Sequence, residues 1–293
     1  MDVATDRSGV LADRNGPRRT LVLVNLRARR GGEAIDGILQ RFSDGGLDVS
    51  VETFSTPAET SDDIIRRQHD FDCVVVCGGD GTIASAARGI MQTGLPLGIL
   101  PMGTANDLAR TLSIPTDLHK AADIIVAGRR RTVDVGTVNG HPFFNVASIG
   151  LSADLARNLC NDTKRRWGRF GYAIAAVRAL STARPFTTWI TTKDGTAEVK
   201  TMQIAVGNGR HYGGGNIVAA DAAIDDGHLD LYSLEVSSVW KLALMAPSFR
   251  AGGHGAWNEV RTARCTSFDI ETRKPRPVNT DGELVTFTPA RFE

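Results

Sequence analysis

Two rhythms of apolar and polar positions divide the chain. Up to about residue 131, fully apolar runs alternate with stretches in which apolar residues recur at helical spacing. Residues 21–25 (Leu-Val-Leu-Val-Asn), 49–54, 73–77 and 97–100 read as strands. Ile35, Ile38, Leu39 and Phe42 mark a helix over 34–42, and Pro57 opens another that runs to about His69. Residues 82–92, 107–112 and 118–127 read as further helices, the last ended by Gly128. A strand apolar on both faces has to be covered on both, so this alternation predicts a parallel α/β domain with helices on each side of its sheet.

Beyond Arg131 the period shortens. Residues 133–138, 142–148, 186–192, 202–207, 229–234, 263–270 and 285–288 are strand candidates rich in β-branched residues, separated by turn signals such as Asn139-Gly140 and Asp194-Gly195. This part predicts an antiparallel β-sandwich domain, interrupted by helices near 152–182 and 238–250. The expected organisation is a disordered tail over 1–19, an α/β domain over 20–131 and a β-sandwich over 132–293.

Composition narrows the partners. A length of 293 residues favours two cores over one. A formal net charge of +1 offers no general attraction for nucleic acid, so none is expected as a partner. Cys73, Cys77, Cys160 and Cys265 stand in unrelated contexts without a Cys-x-x-Cys pair, which predicts reduced thiols and a cytoplasmic protein. The first nineteen residues contain no apolar segment of the signal-peptide kind. The apolar stretch at 172–183 is broken by Arg178 and falls short of the roughly 20 residues of a membrane span, so no transmembrane segment is expected.

The chemistry concentrates where the third strand ends. Val74-Val75-Val76-Cys77 stops at Gly78-Gly79-Asp80-Gly81-Thr82, and about twenty residues later a second strand opens into Gly103-Thr104-Ala105-Asn106-Asp107. Two glycine loops at the carboxyl edge of one sheet make a crevice in which bare N–H groups and a helix start suit phosphate. Asp80 in the middle would repel phosphate unless a magnesium ion stood between them, so the loop predicts a nucleotide with Mg²⁺. Neither Gly-Lys-Ser/Thr nor a first-strand Gly-x-Gly-x-x-Gly occurs.

These two loops together resemble the bacterial diacylglycerol kinase and YegS-like lipid kinase family. The resemblance continues through Gly207-Asn208-Gly209 to Gly213-Gly214-Gly215, Asp225-Asp226-Gly227-His228-Leu229-Asp230 and Asn279-x-Asp281-Gly282-Glu283. It implies a Rossmann-like first domain of the NAD kinase and diacylglycerol kinase type, a β-sandwich lipid domain, and an active site in the cleft between them. The implied reaction is ATP-dependent phosphorylation of a lipid hydroxyl, most simply diacylglycerol to phosphatidic acid, at a membrane surface. ATP is the co-substrate and Mg²⁺ the metal. Gly78, Gly79, Gly81 and Thr82, with Thr104 and Asn106, would cradle the phosphates, and by resemblance Thr53 also touches the nucleotide. Asp80 is the candidate for the catalytic metal, with Asp107 either a second contributor or a helix cap. By resemblance a structural Mg²⁺ falls to the Asp226 carboxylate and the backbones of Ala223 and His228.

Transfer also needs a base for the attacking hydroxyl. Asp281 and Glu283 both qualify, and in an extended segment they would point the same way; family convention favours Glu283. His211 and Tyr212 in the glycine-rich loop are expected to shape a wall. The basic run Lys164-Arg165-Arg166-Trp167-Gly168-Arg169 reads as a solvated helix face or as a contact with anionic membrane, which would make the protein peripherally associated. A homodimer is compatible with the sequence. Two departures from the family pattern are Asn25-Leu26-Arg27 in place of Asn-Pro, and a chain that stops at Glu293 where relatives run on. The second leads to the expectation that residues 285–288 are held inside the second domain. The rival readings are an NAD kinase-like small-molecule kinase, which shares Gly-Gly-Asp-Gly-Thr, and a catalytically silent lipid-binding or regulatory protein.

Overall fold

The computed structural model describes residues 18–25, 33–54, 59–158, 184–236 and 239–293. The run at 164–169, the stretch at 172–183, Cys160 and Pro57 lie outside the described residues. The chain divides into two compact units, Met1–Val133 and Asp134–Glu293.

The first unit runs β1 (Arg18–Asn25), α1 (Glu33–Asp44), β2 (Leu47–Phe54), α2 (Thr60–Arg66), β3 (Cys73–Gly78), α3 (Asp80–Thr93), β4 (Leu97–Pro101), α4 (Asp107–Thr111) and α5 (Leu118–Val126). Its four strands are parallel in the order β2-β1-β3-β4. The wholly apolar strands fall where burial requires them: β3 is buried along its length, and Val22, Val24, Val75 and Cys77 pack with Ile38, Phe42, Ala121 and Ala122. Strand order turns back between β1 and β3, so the carboxyl ends at Asn25 and Gly78 flank the crevice where such sheets bind ligands.

Several boundaries move by a few residues, α2 ending at Arg66 and not near His69, and two of the shifts have a visible cause. β1 starts at Arg18, because the Arg18 guanidinium donates to the last carbonyls of α5, Val126 O at 2.6 Å and Ile125 O at 3.3 Å, and Arg19 pairs with Asp72. α3 starts at Asp80, not Thr82: Gly79 takes an extended conformation as the residue before the helix, which brings Asp80 into the first turn.

The second unit contains β5 (Gly136–Val138), β6 (His141–Phe143), β7 (Val146–Gly150), α6 (Leu151–Asn158), β8 (Phe186–Thr192), β9 (Gly195–Thr201), β10 (Gln203–Gly207), β11 (His211–Tyr212), β12 (Asn216–Ile217) and β13 (Leu229–Leu234). Then follow α7 (Val239–Ala251), a 3₁₀ turn at His254–Ala256, β14 (Val260–Cys265), β15 (Phe268–Thr272), β16 (Pro277–Thr280), β17 (Glu283–Phe287) and β18 (Ala290–Phe292). Two six-stranded sheets, β14-β13-β10-β7-β16-β17 and β6-β5-β18-β15-β8-β9, enclose a core that includes Phe143, Ile149, Ile204, Leu231, Phe268, Ile270 and Phe292. β17 pairs with β16 inside this unit.

Two segments read as single strands are each a pair that changes sheet. Residues 142–148 break at Phe144-Asn145 between β6 and β7, and 263–270 break after Cys265 between β14 and β15. An apolar run that crosses a sandwich keeps its composition while its backbone turns a corner, so periodicity hides the break.

Candidate active site

The two glycine loops of the first unit touch. Met102 N–H donates to Gly78 O at 2.9 Å, extending the β3–β4 ladder into the loops. A Cβ on Gly103 would stand 2.5 Å from Gly79 Cα and 2.8 Å from Asn106 Oδ1, and one on Gly78 would stand 2.5 Å from Thr82 Cβ. These glycines therefore serve first to let protein meet protein. Asn106 closes the second loop on itself, accepting from Gly103 N–H at 2.9 Å and donating to Gly103 O at 3.1 Å from a left-handed backbone (φ 52°). Its amide is committed to the loop, and Thr104 beside it is exposed. Thr82 is buried and accepts from Asn25 Nδ2 at 2.8 Å, a contact that spans the crevice between β1 and β3. The sequence singles out Asn25 only within the departure Asn25-Leu26-Arg27 and assigns it no contact; its signal is a polar residue closing an otherwise apolar strand. Thr53, one residue from the carboxyl end of edge strand β2, is exposed and sits beside Val24 in register.

α3 begins without a capping side chain; the Thr82 and Ile83 N–H groups bond Gly79 O, which leaves those of Asp80 and Gly81 suited to an anion. Asp80 does not lie idle in that turn. Its Oδ1 accepts the Leu108 N–H at 3.1 Å and so caps α4, whose own preceding residue Asn106 supplies no cap. Burial pushes the Asp80 carboxyl up from its ordinary pKa, the Leu108 N–H pulls it down, and the nearby Asp107 charge pushes it up again. Asp107 is itself buried at the start of α4. Two carboxylates that raise the cost of each other's charge are a donor set that fits a hard divalent cation.

In the second unit two of the sequence motifs converge on the Phe144-Asn145 corner. Asp281 accepts three backbone N–H groups, from Phe144 at 2.7 Å, Asn145 at 3.0 Å and Val146 at 3.1 Å. Asn208 donates to Phe144 O at 2.8 Å and Asp134 O at 2.9 Å, while the N–H groups of Asn208 and Gly209 both bond Asn145 O. The corner's polar groups are thus met by residues distant in sequence, which is why no local pattern could find it. Asp281 and Gly282 both have positive φ, 47° and 102°, and form a two-residue hairpin turn between Thr280 and Glu283. The extended arrangement that would align Asp281 with Glu283 does not occur. Asp281 is an anchor for the corner, whereas Glu283 is exposed at the first position of β17.

Tyr212 is likewise committed. Its hydroxyl meets that of buried Tyr232, which accepts from Gln203 at 2.7 Å, and Gln203 in turn accepts from Ser152 Oγ at 2.7 Å. Burial pushes the Tyr212 hydroxyl up to about 12, so it acts as packing and not as an acid or base near neutrality. Gly213, Gly214 and Gly215 all have positive φ and make the turn between β11 and β12. Cys73, Cys77 and Cys265 are free and buried, and burial raises Cys77 to about 12.

At the turn expected to hold a structural Mg²⁺, the Asp226 carboxylate is already engaged. Asp226 Oδ1 accepts the His228 N–H at 2.9 Å, its Oδ2 is paired with the Arg264 guanidinium, and its carbonyl faces His228 Nδ1 at 2.7 Å. A cation, Arg264, already holds the carboxylate. Among the described residues no group of three or more His, Cys, Asp or Glu side chains is placed to hold a metal. Nor is any helix among them long and apolar enough to cross a membrane.

The comparisons with known proteins divide the chain in two parts. Residues 19–138 match the diacylglycerol kinase catalytic domain, and residues 145–293 match the YegS C-terminal NAD kinase beta sandwich-like domain. A diacylglycerol kinase of Mycobacterium tuberculosis is 36% identical over 253 residues, 82% of this chain and 80% of that protein. One from Bacillus subtilis is 27% identical over 87% of this chain and 86% of its own length. A crystal structure of a Bacillus anthracis protein classed with the diacylglycerol kinases superimposes with a TM-score of 0.80 at 26% identity, covering 96% of this chain and 94% of that one. With both halves matched in order, and the paired glycine loops and the Asp281 turn standing within them, the chain belongs to the diacylglycerol kinase family, the lipid kinases with a diacylglycerol kinase catalytic domain.

Proposed function

We propose that the protein transfers the γ-phosphate of ATP to the free hydroxyl of diacylglycerol, giving phosphatidic acid and ADP, at the surface of a membrane. The observation that carries this reading is the uncapped start of α3 beside Asp80 and Asp107, in a chain that is 36% identical to a diacylglycerol kinase. In this reading Gly78, Gly79, Gly81 and Thr82 present backbone to the phosphates, with Thr53, Thr104 and Asn106 around the nucleotide. Asp80 and Asp107 would hold Mg²⁺, which supplies charge neutralisation at the β- and γ-phosphates when bound. The lipid oxygen forms the new bond to the γ-phosphorus as the bond to the β,γ-bridging oxygen breaks. The hydroxyl proton passes to Glu283, while Asp281 positions the turn that carries it.

The NAD kinase-like reading is not favoured, because residues 19–138 match the diacylglycerol kinase catalytic domain and the relatives at 36% and 27% identity are named diacylglycerol kinases. The test is incubation of the purified chain with labelled ATP, Mg²⁺ and a panel of lipids in mixed micelles. Labelled phosphatidic acid from diacylglycerol is the expected product. Label only in another lipid would overturn the substrate assignment, and label in none would overturn the activity.

A further inference from the structure

Arg264 stands opposite Asp230 in the antiparallel register of β13 and β14. From there its guanidinium reaches three carboxylates: Asp226 through Nη2, Asp221 through Nη1 at 3.4 Å, and Asp230 through Nε at 3.9 Å. The Asp226 and Asp230 side chains are 22% and 9% exposed, so their charges are poorly answered by water, whereas Asp221 at 78% is screened by solvent. The loop is closed further by Asp134, which accepts the Gly227 N–H at 2.7 Å, and by the two His228 contacts of Asp226.

We infer that Arg264 is the resident cation of the Asp225-Asp226-Gly227 turn, and that the second unit holds this turn without a metal ion. A magnesium ion needs oxygens at about 2.0–2.1 Å in near-octahedral array. At Asp226 one oxygen is bonded to a backbone N–H and the other to a guanidinium, and a dication entering there would face that fixed positive charge at contact distance. The planar fork ties two carboxylates of the loop before β13 to one on β13, as one metal ion would, and its charge is permanent.

The experiment uses the full chain without nucleotide, stripped of metal. For the wild type, the thermal midpoint is expected to move by no more than about a degree between EDTA and millimolar Mg²⁺. Micromolar Mn²⁺ should leave the His228 ring resonance, assigned with H228Q, unbroadened. R264Q should lose several degrees, regain part of them with Mg²⁺, and show broadening of His228 by Mn²⁺, because the carboxylates are then free to take a metal. Wild-type protein that is destabilised by EDTA and broadened at His228 by Mn²⁺ would overturn the inference, as would an R264Q protein as stable as the parent. If R264Q does not fold, the two wild-type measurements decide alone, since His228 reports on this turn and not on the nucleotide loops.

Discussion

Asp80, the first residue of α3, caps a different helix: its Oδ1 receives the Leu108 N–H of α4 at 3.1 Å. One carboxylate therefore ties the two glycine loops together and, in the proposed reaction, would supply charge for a metal. The two duties separate by substitution. D80N keeps an oxygen acceptor for Leu108 but loses the charge, so phosphoryl transfer should be abolished while the thermal midpoint holds or rises. D80A loses the acceptor as well and should cost about 1 kcal/mol, the ordinary value of a helix cap. Linkage gives the sign of the D80N effect. A folded-state pKa raised by burial means that stability from this group is full below its unfolded value and declines as pH rises through the folded value. At neutral pH the ionised carboxylate thus opposes folding, and D80N relieves it. Thermal melts at pH 7 beside a turnover assay check both, and a D80N protein that retained turnover would remove Asp80 from the chemistry.

The Gly79–Gly103 contact makes a steric prediction. In G103A the new methyl would lie 2.5 Å from Gly79 Cα, which is backbone and cannot turn aside. The loops must part, so we expect a loss of about 1–3 kcal/mol, as for overpacking elsewhere, together with weakened nucleotide binding. G140A, at a hairpin turn with open space around it, serves as the control for backbone strain alone. Urea unfolding and nucleotide titration of both proteins provide the measurement.

Asp281 and Glu283 should part company in the same way. E283Q is expected to lower turnover by roughly 10²- to 10⁴-fold with unchanged stability and unchanged apparent ATP affinity, the signature of a lost general base at an exposed position. D281A strips the acceptor from three N–H groups of the Phe144-Asn145 corner and should cost about 2–4 kcal/mol. A D281A protein of parental stability would show the corner held by other means.

What the sequence made legible follows from how far each determinant reaches along the chain. The first unit was readable almost throughout because a parallel sheet writes its strands as unbroken apolar runs, and Val74 to Cys77 is one. The sandwich was readable as a class but not strand by strand: β9 (Gly195–Thr201) is mostly polar, with only Val199 and Thr201 buried, and β18 (Ala290–Phe292) is three residues long. Site motifs could be located, yet their division of labour could not. That Asp281 turns away from Glu283 depends on a backbone N–H more than 130 residues distant, and the grip of Arg264 on Asp226 depends on strand register. Glycine spacing pointed to the crevice; it did not reveal that Gly79 and Gly103 are needed for each other.

His254 yields the last prediction, a pH dependence unrelated to catalysis. Its ring is buried, stacked on Phe249 at 4.6 Å between centroids and edge-on to Tyr232 at 4.9 Å. Among the described residues neither ring nitrogen has a partner with full hydrogen-bond geometry, although the Val218 backbone lies near enough to favour the charged ring. Burial accordingly lowers its pKa below the ordinary value near 6.5. The unfolded chain then binds the proton more readily than the folded one. Stability is complete above pH 6.5 and falls as pH drops through the folded value. H254F fills nearly the same volume, keeps the aromatic stacking and removes both stranded nitrogens. It should be more stable than the parent by on the order of 1 kcal/mol at neutral pH and by more at pH 5.5. Urea unfolding between pH 5.5 and 7.5 should show the parent's slope flattened in H254F. A slope identical in the two proteins would assign the acid sensitivity to another group and would mean that the ring finds a proton acceptor as the chain breathes.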